Sequence, residues 1–151
     1  MTEHIAAPEV VSPEETKSSV GGRRLRRGAT IVVALIAALL DWLICTKIIG
    51  LSLIVDQGFG PTEVMPALVA AAPILSGLSA WALLAILERA TPARAGTIWR
   101  IVAVIVMILS LYSPITMALA TSTAIALVSM HLVVGVILII GVPRAGRGQR
   151  L

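Results

Sequence analysis

The sequence predicts an all-α, polytopic membrane protein: four transmembrane helices in an up-down antiparallel bundle, with both termini cytoplasmic. Three observations carry this. Of 151 residues, 58% are hydrophobic and 13% charged, whereas a soluble domain has roughly 45–50% and 25%. The apolar residues are gathered into runs that reach the ~20 residues needed to cross a hydrocarbon core about 30 Å thick. The basic residues sit at the edges of those runs, as they do where positive flanks are retained in the cytoplasm.

The elements follow in order. Residues 1–22, "MTEHIAAPEVVSPEETKSSVGG", mix acids, Pro, Ser and Gly without an apolar period. Such a segment buries too little surface to offset its ordering entropy. With "RRLRRG" it is expected to form a disordered cytoplasmic tail over residues 1–28 that ends in a basic patch. The transmembrane domain is expected over 29–142. Its first run, "ATIVVALIAALLDWLICTKIIG" (29–50), is too long for the apolar part of a signal peptide and no A-x-A site follows it, so it reads as an uncleaved first helix.

The linker "LSLIVDQGFGPTEVM" holds two acids and the turn-forming "GFGP". The second helix is expected over about 66–88, with Pro66 at its start and Pro73 as a kink. The polar, basic "ERATPARAGT" follows. From Ile98 to Val142 the chain is apolar for 45 residues, enough for two spans. Pro114 disfavours a helical Ser113, which places the third helix at 98–113 and the fourth at 122–142. Gly141 and Pro143 are expected to end the fourth, before a basic cytoplasmic tail, 143–151.

Charge supplies the orientation. Arg23, Arg24, Arg26 and Arg27 precede the first helix, Arg89, Arg94 and Arg100 join the second and third, and Arg144, Arg147 and Arg150 follow the fourth. Four helices put all three groups on one side; Asp56 and Glu63 fall on the other. The net charge of +4 is therefore read as topology, not as a nucleic-acid surface. Trp99 and Tyr112 are expected as interfacial anchors. Cys45 is the one cysteine, which excludes an intrachain disulfide and a cysteine-rich metal site.

Asp41, in "ALLDWLICTK", is the residue that most resembles a site. A central Asp costs about 2.5–3.5 kcal/mol on insertion, and eleven Leu, Ile and Val between positions 29 and 50 return about 5 kcal/mol. Its neighbours Ala34, Ala37, Ala38 and Cys45 are small, so it is expected to face the bundle. At about 1.5 Å per residue, His131 and Ser76 lie at a similar depth, ~12–15 Å from the outer end. An intramembrane polar cluster of Asp41, His131 and Ser76 is the candidate site. One acid and one histidine fall short of a metal's ligand set, and no nucleophile–base–orienter set is recognisable. No catalytic residue, metal or cofactor is assigned. Ala72, Ser76 and Ala80 form a small-residue stripe read as helix packing, and Glu88 beside Arg89 reads as an interfacial charge pair.

Trp81, the Leu87-Glu88-Arg89 turn, Trp99, Ser110-Leu111 with Pro114, and the Met130-His131 pair resemble the pattern of an uncharacterised family of small actinobacterial four-helix integral membrane proteins. The resemblance covers about residues 30–142. It implies the four-helix fold and an actinobacterial plasma membrane, and carries no activity.

The favoured reading is a non-enzymatic accessory or self-associating membrane subunit. Its partners would be the lipid bilayer and either further copies or another membrane protein, with no nucleic acid. The alternative is a small proton-coupled transporter or channel using Asp41. A membrane enzyme has the least support.

Overall fold

Inside a bilayer no water satisfies backbone N–H and C=O groups, so a long apolar run must bond within itself as a helix. The computed structural model describes residues 13–144, and its elements are α1 (Pro13–Leu43) with a π-helical turn (Ile44–Ile48), β1 (Ile54–Asp56), β2 (Pro61–Glu63), α2 (Pro66–Ala90), α3 (Ala95–Ser110), α4 (Tyr112–Met117) and α5 (Thr121–Arg144). Four stretches are long and apolar enough to cross a membrane: Gly21–Ile48, Pro66–Ala90, Ala95–Met117 and Thr121–Arg144. Helix α1 packs on α2 and α5, and α3 packs on the same two. Arg27 Nη2 donates to Glu88 Oε1 at 2.5 Å, tying the start of the first span to the end of the second at the arginine-rich end.

Close packing depends on small residues. A Cβ on Gly77 would stand 2.7 Å from Cγ1 of Ile31, so only glycine lets α2 approach α1 there. The interior holds two apolar clusters. Near the arginine-rich end are Ile31, Ala34, Leu84, Trp99, Leu138 and Val142. Near the other end are Cys45, Leu53, Ala126 and Met130. Outward, Val32, Val33, Ile36 and Leu40 of α1 and Ile101, Ile105 and Ile108 of α3 are exposed. A continuous apolar exterior of this kind suits lipid, not water.

The linker after the first span is a small antiparallel hairpin, pairing Ile54 with Glu63 and Asp56 with Pro61. Asp56 Oδ1 accepts from the N–H groups of Gly58 and Gly60 at 2.8 and 3.1 Å. Both glycines have positive φ, +92° and +97°, a region closed to most side chains. The hairpin is sewn to the bundle. Trp42 Nε1 donates to the Val64 carbonyl at 3.0 Å, Thr123 Oγ1 to that of Ser52 at 3.3 Å, and the Leu119 N–H to that of Ile54 at 3.2 Å.

Several sequence boundaries need correction. Residues 13–28, assigned above to a disordered tail, are helical and continue α1. A formed helix propagates easily once nucleated, so the apolar span carries the helix back through the basic patch. The rest of that tail, 1–12, and residues 145–151 of the C-terminal tail lie outside the described residues. The second helix runs to Ala90, beyond 88. The third span starts at Ala95 and passes Pro114 to reach Met117. The chain breaks at Leu111 and restarts, so Pro114 sits in the first turn of α4, where a missing N–H is tolerated. Gly141 and Pro143 do not end the last helix either. The helix is unbroken through Arg144, the last described residue.

Candidate functional site

Asp41 lies on the stripe Arg27, Ile31, Ala34, Ala38, Asp41, Cys45, whose alternating steps of four and three keep one face of α1 toward its neighbours. Ala34 and Ala38 are buried at 0% and 2% exposure. These small side chains bring α5 close, and Ser129 Oγ donates to Asp41 Oδ2 at 2.5 Å. The Cys45 thiol, one turn on, lies 3.7 Å from Oδ1. Both carboxyl oxygens thus have a neighbour within the bundle.

Among the described residues, no hydrogen bond joins Asp41, His131 and Ser76 to one another. His131 follows Ser129 by two residues, about 200° around α5, so the two side chains leave the helix on opposite sides. His131 Nδ1 stands 2.7 Å from the Leu127 carbonyl. A carbonyl only accepts, so Nδ1 carries the proton and Nε2 of the neutral ring is left as an acceptor. Ser76 Oγ donates to the Ala72 carbonyl one turn back, at 2.7 Å.

His131 and Ser76 nevertheless share a surface: both line a cavity of about 700 Å³ that does not include Asp41. This volume lies in the range of small-molecule sites, ~300–1,000 Å³. Its deep end is marked by the buried Trp99 and Leu138, and it extends past the exposed Ala72 and Ser76 to the exposed Phe59 and Glu63 of the hairpin segment. The stripe Ala72, Ser76, Ala80 belongs here. It was read as a packing face, yet Ala72 and Ser76 are exposed and border the cavity, whose space their small size leaves open.

Two further expectations change. Trp99 is not an interfacial anchor. It is 1% exposed, and its indole N–H donates to the Ala80 carbonyl at 3.0 Å, binding α3 to α2. Glu88 pairs with Arg27, not with Arg89 beside it in sequence, because adjacent helix residues point in different directions. Arg27 is the buried member of its arginine cluster, with the side chain 7% exposed and its Nε without a partner.

Sequence reasoning missed Ser129 and Arg27. Steps of three and four residues back from Asp41 reach Arg27, and Ala126, three residues before Ser129, stands on the same side of the last helix; these are the signals that could have found them.

Apolar spans, an interior closed by polar bonds and an apolar exterior define a multi-pass helical membrane protein. Within that class, residues 18–148 match the model of a family described as "Family of unknown function (DUF6069)", and the chain belongs to it. No curated protein and no solved structure matches the chain.

Proposed function

We propose that this chain is a non-enzymatic subunit of a bacterial, specifically actinobacterial, plasma membrane, with both ends of the bundle's chain in the cytoplasm. It works as a packed helical body, beside further copies or another membrane protein, and takes no part in nucleic-acid binding. The observation that supports this is the engagement of Asp41. An acid that carries protons across a membrane has to face a water-filled path, and Asp41 instead holds α1 to α5 through Ser129, away from the cavity lining.

Proton flux in liposomes separates this from proton-coupled transport through Asp41. With a pH dye inside vesicles containing the full chain, wild type and Asp41→Asn are expected to leak alike, at the rate of empty vesicles. A wild-type flux that Asp41→Asn abolishes would overturn the proposal in favour of the transporter.

A further inference from the structure

The cavity has a polarity of its own, and it concerns hydrogen-bond roles. The Ser76 and Ser110 hydroxyls give their protons to the backbone carbonyls of Ala72 and Met107, each at 2.7 Å. What they retain for a ligand is lone pairs. His131 donates its Nδ1 proton to the Leu127 carbonyl, so in the neutral ring only the acceptor Nε2 is left for a ligand. Thr62 donates to the Gly60 carbonyl at 3.3 Å, and the Trp99 N–H is held by Ala80. Glu63, at the hairpin end, is acceptor-only when ionised. Against this set stand the Gln57 amide and the hydroxyls of Ser79 and Ser113 as groups able to donate, Ser113 meeting only the Met117 sulfur at 3.3 Å, and among the described residues no Lys or Arg lines the cavity.

We infer that the cavity is a binding site for a lipophilic amine: an apolar body lying toward Trp99 and Leu138, with a protonated nitrogen at the hairpin end near Glu63. A wall rich in acceptors and carrying a carboxylate leaves an anion unpaired on entry, while an ammonium group finds lone pairs and an opposite charge. The apolar deep end accepts a chain or ring that has no polar group to satisfy. This goes beyond the subunit role, which holds whether the cavity is filled or empty.

The test uses the full chain in phosphatidylcholine nanodiscs and three probes that share one apolar tail: dodecylamine, dodecanol and dodecanoate, each brominated at the far carbon. Bromine quenches tryptophan on contact, and Trp99 borders the deep end. At equal mole fraction in the bilayer, the amine is expected to quench saturably and to reach half-saturation about 3-fold or more below the alcohol, as for a partly exposed charge pair. Dodecanoate should be weakest. Glu63→Gln should bring amine and alcohol together, and Ser79→Phe, which intrudes on the lining from an exposed position, should remove saturation. Three probes quenching alike and without saturation would show a crevice filled by bulk lipid and overturn the proposal. So would tighter binding of dodecanoate, an amine affinity untouched by Glu63→Gln, or a cross-linked dimer whose fluorescence no probe alters.

Discussion

At the scale of single residues, the polar groups of this protein act in pairs across helices. Arg27 and Glu88 form one such pair, with side chains 7% and 43% exposed. Removing one member leaves a buried charge unmatched, which costs more than the pair itself contributes. Glu88→Ala is expected to destabilise by about 1–3 kcal/mol, less than a fully buried pair because Glu88 is partly solvated. Adding Arg27→Met to that variant should recover part of the loss, which unfolding in mild detergent against added denaturing detergent would measure. Trp99 makes a neutral bond and fills the cluster near the arginine-rich end. Trp99→Phe should cost about 1 kcal/mol for the bond, and Trp99→Ala about 3–5 kcal/mol for bond and volume together.

At the scale of elements, the depth of a residue was legible in the sequence, and so was the inward direction of Asp41, but the direction of its partner on α5 was not. Counting residues from a span's end placed the α5 partner of Asp41 near His131, and Ser129 is two residues, about 3 Å of rise, away. Those same two residues turn the side chain to the other side of the helix. Direction depends on which helix lies next to which, and apolar spans reveal little of that because their lipid-facing and buried sides are both oily. Stripes of small residues were equally ambiguous. Ala34 and Ala38 pack against neighbours, whereas Ala72 and Ser76 open a cavity, and composition alone does not separate the two. Pro114 and Pro143 were read as terminators, yet Pro114 falls in the first turn of α4, where a proline is tolerated, and the last helix continues past Pro143 to Arg144. Gly77 marks a true contact. Gly77→Val is expected to push α2 off Ile31 and lower the thermal midpoint, while Gly28→Val, where a Cβ meets nothing within 4 Å, should leave it near wild type.

For the whole molecule, the arginines at one end and the hairpin at the other give a topology that chemical labelling reads directly. In a Cys45→Ala background, Gln57→Cys in the exposed hairpin should react with a membrane-impermeant maleimide added outside intact cells. Arg94→Cys, in the turn between the second and third spans, should react only after the membrane is opened. Both cysteines labelling from outside would contradict the orientation. The span count was legible because the bilayer leaves a long apolar run little choice but a helix. The hairpin was not, since only its "GFGP" turn shows in sequence, while its bonds to Trp42, Thr123 and Leu119 come from distant segments.

The central claim is that Asp41 serves as a lock between helices, and a double-mutant cycle on Asp41 and Ser129 tests it most directly. Unfolding free energies would be measured for wild type, Asp41→Ala, Ser129→Ala and the double variant in the same detergent. A hydroxyl–carboxyl bond between helices predicts a favourable coupling of about 1–2 kcal/mol, so that either single change nearly exhausts the loss. Additive effects with zero coupling would contradict the lock and return Asp41 to the candidates for transport.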